Sequence, residues 1–223
     1  MITRKIISKH PGSRTKPKEI QFFDESGTAI AVQFLEPDGS VAEIKGTIPD
    51  GIVSQYFENG KKEWDWNYKN CVLNGITKQY FKTGEVHFED NYSNGKQEGV
   101  SRGFYESGKL KYEISYIGGK LNGVFKKYEE NGSLIFEKNY SNSVKNGVVR
   151  KFENGIIKEE TFYKNGIKDG TSKKHYPDGQ IRKVSVYVDG IKHGIIKRFD
   201  PTGNLKYEEN WVVGKREQKI KAS

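Results

Sequence analysis

The stretch GITKQYFKTGEVHFEDNYSNGKQE (residues 75–98) is followed directly by GVSRGFYESGKLKYEISYIGGKLN (residues 99–122). Both segments are 24 residues long, and both place glycines and aromatic residues at equivalent positions. A fixed period of this length is typical of stacked-repeat proteins. Seven copies span residues 51–214, and their leading glycines are Gly51, Gly75, Gly99, Gly123, Gly147, Gly170 and Gly194.

Each repeat contains two segments of alternating side chains, separated by a glycine such as Gly84. Ile76, Lys78 and Tyr80 would share one face of a strand, and so would Phe88 and Tyr92 of the next segment, because side chains two apart share a face. The pattern predicts a β-hairpin with one apolar side. We therefore expect an all-β fold, an elongated array of tandem hairpins in a single-layer twisted antiparallel sheet. Each hairpin would lengthen the array by about 10 Å.

Two positions of the repeat keep their residue type in every copy. The residue after the leading glycine is β-branched, and a large aromatic residue closes the second segment. We expect both sets to stack as structural ladders, because each copy repeats the lateral position of the last. The first set is Ile52, Ile76, Val100, Val124, Val148, Thr171 and Ile195; the second is Tyr68, Tyr92, Tyr116, Tyr140, Tyr163, Tyr187 and Trp211.

The net charge of +9 over 223 residues lies at the two ends of the chain. Residues 1–18 carry six basic residues and no acidic one, and residues 215–223 add +3, so that residues 19–214 balance 28 basic against 28 acidic residues. We interpret residues 1–18 as a flexible basic arm, with breaks at Pro11, Gly12 and Lys16-Pro17. Residues 19–50 resemble worn repeat material and would form an N-terminal cap, residues 51–214 form the repeats, and residues 215–223 are a basic tail.

A basic residue occupies the third position after the leading glycine in six copies. This candidate basic stripe, a possible contact for an anionic polymer, consists of Lys78, Arg102, Lys126, Arg150, Lys173 and Lys197. A column of acidic residues from the second segments, such as Glu89 and Glu137, has the same period. Because like charges repel, we expect the two columns to lie side by side and to neutralise each other.

The repeat breaks its aromatic pattern at three positions in the fifth and sixth copies. Glu159 and Lys183 replace an aromatic residue of the second segment, and His175 replaces one of the first. Consecutive strands would place His175 between the other two. These three residues, called the polar notch below, are either a loss of aromatic packing or a site where a partner's polar group docks.

The motifs Tyr80-Phe81-x-x-Gly84 and Tyr92-x-Asn94-Gly95-Lys96-x-x-Gly99 resemble the MORN repeat. They are closer to the bacterial variant of that repeat, which is often described as an antitoxin component of toxin–antitoxin systems. The resemblance covers residues 51–214. It implies an elongated hairpin array with a binding role and supplies no catalytic residue.

Patterns of enzymatic sites are missing from the sequence. The phosphate-binding motif Gly-x-x-x-x-Gly-Lys-Ser/Thr is absent, and His10, His87, His175 and His193 lack metal-ligand spacing. The single cysteine, Cys71, and the lack of a secretory signal favour a reducing cytoplasm. We therefore expect a cytoplasmic, non-enzymatic binding protein with no cofactor, no metal and no small-molecule substrate.

Two kinds of partner fit this interpretation. In the first, an antitoxin- or immunity-like chain masks a protein partner, possibly a toxin, along its face. In the alternative, a scaffold is tethered to an anionic surface, a membrane or a nucleic acid, through its basic termini. The affinity for a polyanion falls steeply with salt concentration, so that salt dependence separates the two.

Overall fold

The computed structural model describes residues 1–10, 13 and 17–221. Pro11, Gly12 and Lys16, where the sequence predicts breaks, lie outside the described residues. All the described secondary structure is β-strand, in two compact units: Met1–Gly108 and Lys109–Ser223.

The described part of the first unit contains eleven strands. They are β1 (Ile2–Lys9), β2 (Pro17–Phe23), β3 (Ala29–Leu35), β4 (Val41–Gly46), β5 (Gly51–Tyr56), β6 (Lys62–Lys69), β7 (Val72–Leu73), β8 (Gly75–Tyr80), β9 (Val86–Ser93), β10 (Lys96–Gln97) and β11 (Gly99–Phe104).

The second unit contains eleven strands up to residue 221, where the described residues end. They are β12 (Leu110–Ile117), β13 (Lys120–Tyr128), β14 (Leu134–Ser141), β15 (Val144–Glu153), β16 (Ile156–Lys164), β17 (Ile167–His175), β18 (Ile181–Val188), β19 (Ile191–Lys192), β20 (Gly194–Phe199), β21 (Leu205–Val212) and β22 (Lys215–Lys221). Neighbouring strands pair antiparallel, which confirms the predicted all-β array of hairpins.

The repeats are joined by tight two-residue turns in which both central residues have positive φ. Asn94 and Gly95 have φ values of 47° and 77°, between the paired residues Ser93 and Lys96. Two consecutive positive φ angles define a type I′ turn, whose twist matches that of the flanking strands. Asn and Gly tolerate this conformation best, which explains why the Asn-Gly pair recurs.

The last such turn departs from this chemistry, because the β-branched Val213 adopts φ 44°. Equivalent positions hold Asn70, Asn94, Gly118, Asn142, Asn165 and Asp189, and the Val213 side chain is 68% exposed. We expect Val213→Asn to raise the free energy of unfolding by about 1 kcal/mol, since Asn relieves the steric cost of a left-handed residue. Thermal melting measures this gain. Val212→Asn, at a neighbouring strand position, is the control and should give none.

The register places the two constant positions of the repeat on opposite faces of the sheet. Ile76 pairs with Asn91, whereas Tyr92 pairs with Gly75. Directly paired residues project to the same face and successive residues to opposite faces. Ile76 and Tyr92 therefore face opposite ways. Each set therefore forms a row on its own face, so that the hairpins do not have the single apolar side that the alternation predicted.

The core of the first unit lies where the N-terminal strands pack on the first repeat. Ile20, Phe22, Ala31, Ile48, Val53, Trp66 and Tyr68 are buried there, with Phe22 and Val53 fully inaccessible. Apolar burial of this kind is the main stabilising contribution to such a unit.

The N-terminal segment differs from the expected flexible arm. Ile2–Lys9 forms β1, which pairs antiparallel with β2 and parallel with β5. The guanidinium carbon of Arg4 lies 3.2 Å from the centroid of the Trp66 ring, and Ile2 packs against the core. Burial lowers the pKa of Arg4, which is one of the charges assigned above to a solvated arm. The basic tail is likewise a strand: Lys215–Lys221 forms β22, paired with β21.

The second unit buries a row of small side chains instead of a large apolar core. Thr161, Ser172 and Ser185 are buried and directly paired across β16, β17 and β18. The hydroxyl groups of Thr161 and Ser172 are 2.8 Å apart and share a hydrogen bond, so that burial leaves neither group without a partner. Val149 and Ile196 are buried apolar members of the same face.

Candidate functional site

The basic stripe lies in a row of alternating charges. Lys78 pairs with Glu89 at 2.7 Å, Arg150 with Glu160 at 2.7 Å, and Lys197 with Glu208 at 2.8 Å. Lys126 and Lys173 lie 3.7 Å and 4.0 Å from Glu137 and Glu160, and Arg102 stands opposite Glu89 in register. The predicted neutralisation of the two columns is confirmed. Because the glutamates neutralise the lysine and arginine side chains, this row presents little net charge to a polyanion.

The polar notch is arranged differently from the expected order. Glu159 pairs in register with Lys174, and Lys174 pairs in turn with Lys183. Lys174, and not His175, therefore stands between Glu159 and Lys183 on one face. Glu159 forms its ion pair with Lys151, at 3.4 Å, on the opposite neighbouring strand. Burial, together with the positive charges of Arg198 and Lys192, lowers the pKa of Lys183.

His175 and Glu159 nevertheless line one cavity, of about 520 Å³, at the ends of β15, β16 and β17. Its other lining residues include Glu153, Lys158, Lys174, Tyr176 and Arg182, and Lys183 is not among them. Nδ1 of His175 is buried and has no hydrogen-bond partner among the described residues. A buried imidazole nitrogen without a partner is unfavourable for the folded state.

Lys174 and Arg182 are cavity residues that sequence reasoning did not identify. Both are exposed, and neither forms an ion pair within the described part of the chain. Lys174 occupies a position that is also basic in two earlier copies (Lys127 and Lys151), so that its repeat register offered a signal.

The β-branched residues after the leading glycines form a row in each unit, which we call the apolar row; most of them are solvent-exposed, and Val100 and Val148 are partly buried. Ile52 and Ile76 are 57% and 48% exposed in the first unit, and Val124 and Ile195 are 37% and 43% exposed in the second. Asparagine residues alternate with them in register; Nδ2 of Asn139, for example, donates to the carbonyl oxygen of Val148 at 2.6 Å. A repeated line of exposed apolar side chains is typical of a protein-interaction surface.

Neither metal chemistry nor a membrane-spanning helix is indicated by the described residues. No group of three or more His, Cys, Asp or Glu side chains among residues 1–10, 13 and 17–221 is arranged to hold a metal ion. No helix long and apolar enough to cross a bilayer occurs in that part of the chain.

Tandem hairpins with regular surface rows define a repeat protein that acts through its faces. Seven segments match the MORN repeat variant: residues 49–70, 73–94, 97–117, 121–142, 145–165, 168–189 and 192–212. Since these segments cover more than half of the 223 residues, the chain belongs to the MORN repeat variant family. Repeats of this kind are generally binding modules, which indicates a non-catalytic role.

Comparisons with individual proteins are weaker. A point mutant of Staphylococcus aureus TarM in complex with fondaparinux, alpha-GlcNAc-glycerol and UDP is 15% identical, with a TM-score of 0.32, over 44% of this chain and 19% of that one. A second crystal structure of TarM is 16% identical with the same TM-score, over 45% of this chain and 19% of that one. The match thus spans about a fifth of the TarM chains. No curated protein shows significant similarity to the chain.

Proposed function

We propose that the chain is a cytoplasmic, non-enzymatic protein-binding repeat protein of the antitoxin or immunity type, which masks a protein partner. The observation that carries this proposal is the apolar row, with Ile52, Ile76, Val124 and Ile195 each more than a third exposed. The resemblance of the repeat to the variant found in antitoxin components supports the masking role.

The row of ion pairs beside the apolar row fits the same role. Lys78–Glu89 in the first unit and Lys197–Glu208 in the second lie on the same face as Ile76 and Ile195, two residues away along the strand. A face with exposed apolar groups and balanced charges matches the composition of protein interfaces, whose cores are apolar and poor in net charge.

The cavity around His175 is a second candidate contact for a polar group of the partner, separate from the apolar row, because Glu159 and Lys174 of its lining lie on the opposite face of the sheet. Lys174 and Arg182 place two cations at the cavity wall, where a carboxylate or carbonyl oxygen of the partner would be favourable. The second role considered above, a tether through both basic termini, is weakened in one respect: Arg4, one of the six basic residues of residues 1–18, is buried against Trp66.

The test co-expresses this chain with the protein that the neighbouring gene encodes. We expect co-expression of the two to restore growth that this product alone prevents, and Ile76→Asp combined with Ile195→Asp to abolish the rescue. Two charges in a desolvated interface should weaken binding by roughly a hundredfold or more. Melting temperatures should change little, because both side chains are about half exposed.

The matched control is Ile117→Asp combined with Val188→Asp. These exposed residues end strands outside the apolar row, at 58% and 47% exposure, and their replacement should leave the rescue intact. Equal rescue by both double variants would refute the apolar row as the interface.

A further inference from the structure

The two units differ strongly in charge. Lys109–Ser223 contains 24 basic and 14 acidic residues, a net charge of +10, whereas Met1–Gly108 contains 14 basic and 15 acidic residues. Residues 19–214 are therefore neutral only because an acidic excess in the first unit cancels a basic excess in the second. Residues 19–108 have 8 basic and 15 acidic residues, and residues 109–214 have 20 basic and 13 acidic ones.

The excess charge of the second unit gathers on one face, the one opposite the ion-pair row. Register places Glu159, Lys174, Lys183 and Arg198 side by side on four consecutive hydrogen-bonded strands, about 4.8 Å apart per strand. We call this surface of the second unit the basic face. Its basic residues are Lys127, Lys138, Lys145, Lys151, Lys168, Lys174, Lys183, Lys192, Arg198, Arg216, Lys219 and Lys221.

Three strand carboxylates, Glu153, Glu159 and Glu209, share the basic face in the described part of the unit. Each is in an ion pair, with Lys158 at 3.0 Å, Lys151 at 3.4 Å and Arg216 at 3.2 Å respectively. The remaining cations repel one another. Burial first, and then the charges of Lys145, Lys151 and Lys127, lower the pKa of Lys138, and the pKa of Lys183 is lowered in the same way. Such crowding is unfavourable in the free protein, which a bound polyanion would relieve.

Aromatic rings alternate with these cations. Tyr140 pairs with Lys145, Tyr163 with Lys168, Tyr187 with Lys192 and Trp211 with Arg216. Each lysine also approaches the ring of the next repeat: Lys145 lies 5.3 Å from the Tyr163 centroid, Lys168 5.2 Å from Tyr187, and Lys192 4.3 Å from Trp211. In the first unit the residues paired with Tyr68 and Tyr92 are uncharged, Leu73 and Gln97, so that the alternation belongs to the second unit.

We propose that the basic face binds single-stranded nucleic acid, with lysines on the phosphates and aromatic rings against the bases. Two features favour this polyanion over an acidic protein. First, ten of the twelve cations are lysine, a residue that is depleted in protein interfaces. Second, these cations recur with the period of the repeat, and such regular spacing suits the evenly spaced charges of a linear polymer. The interleaved rings favour unpaired bases, which stack on aromatic side chains, over a duplex. The proposal is independent of the protein-binding role of the apolar row.

The test measures binding of the full chain to a fluorescein-labelled 30-nucleotide oligothymidylate by anisotropy, from 50 to 300 mM NaCl. We expect affinity to fall steeply with salt, and Lys174→Gln combined with Lys183→Gln and Arg198→Gln to weaken binding at least tenfold at 100 mM NaCl. Loss of three phosphate contacts should reduce the slope of log affinity against log salt by about 2. The same triple variant should melt at an equal or higher temperature in low salt, because it removes mutual repulsion.

The matched control, Lys120→Gln with Lys164→Gln and Lys206→Gln, removes the same charge from exposed positions outside the basic face. It should change affinity less than twofold. Equal weakening by both triple variants would show that net charge alone binds the oligonucleotide, and the proposal would fail. Failure would follow equally from no binding at 50 mM NaCl, or from tighter binding to a 30-base-pair duplex, to phosphatidylserine vesicles or to poly-glutamate.

Discussion

Removal of residues 1–9 should lower the free energy of unfolding of the first unit by about 3–5 kcal/mol, the range for losing a large buried side chain. β1 supplies Arg4, which covers Trp66 and donates through Nη1 to the hydroxyl oxygen of Tyr68 at 3.4 Å. It also supplies Ile6, which pairs with Ile20, a residue that is 1% exposed. Without β1, the apolar surface of Trp66 and Ile20 would meet water.

Urea unfolding followed by tryptophan fluorescence, in a Trp211→Phe background, measures this loss, since the other two tryptophans, Trp64 and Trp66, both lie in the first unit. The matched control removes residues 215–223, which include the other basic terminal strand, β22. All seven residues of β22 are exposed and none packs in a core, so that this truncation should lower the free energy of unfolding far less. Similar losses from the two truncations would contradict the role assigned to β1.

Replacement of Asp65 should have the second largest effect. The carboxylate of Asp65 is buried and accepts three hydrogen bonds: from Oγ of Ser54 at 2.6 Å, from Nζ of Lys62 at 2.9 Å and from the hydroxyl of Tyr80 at 2.9 Å. Asp65→Ala leaves these donors without an acceptor, and Ser54 is only 2% exposed. We expect a loss of about 2–4 kcal/mol in urea unfolding, from one or two unsatisfied buried groups.

Glu89→Ala is the comparison within the same row of charges. Its carboxylate pairs with Lys78 at 2.7 Å, but both side chains are partly exposed, so that the loss should stay near ~1 kcal/mol or below. If Glu89→Ala lowered the free energy of unfolding as much as Asp65→Ala, the three hydrogen bonds of Asp65 would contribute no more than a partly exposed ion pair.

The same network predicts the acid limb of the stability profile. Burial by itself would raise the pKa of Asp65, but the hydrogen bonds from Ser54, Lys62 and Tyr80 outweigh it and hold the pKa below its ordinary value. Its contribution is therefore complete above the unfolded-state pKa of about 3.9 and is lost as the pH falls through the lower folded value. Asp65→Asn should flatten this part of the profile.

The hairpins could be predicted from the sequence because their causes are local. Gly84 and the Asn94-Gly95 pair fix the two turns of a repeat, and alternation between them fixes the strands. The opposing charge columns were predictable for the same reason, since a constant position in each copy must form a row. Period and turn chemistry suffice for such features.

Tertiary features were not accessible in the same way. Nothing local marks Arg4 as buried, because its partner Trp66 lies 62 positions further along the chain. The basic face does not follow from the charge summed along the chain, because it depends on which residues the strand register places on one side of the sheet. Register alone shows that Lys174 and Lys183 adjoin each other while Lys173 pairs with Glu160 on the other side. The order within the polar notch depended on the same register.

The strand β22 ends the described chain with pairing on one side only, to β21. Its free backbone N–H and C=O groups are a template on which a strand from another copy can add, the route by which open sheets polymerise. Lys215, Arg216, Lys219 and Lys221 stand along this strand, and their repulsion opposes the approach of an identical edge. Within the described residues, like charge along β22 therefore disfavours the edge-to-edge pairing of two copies through this strand.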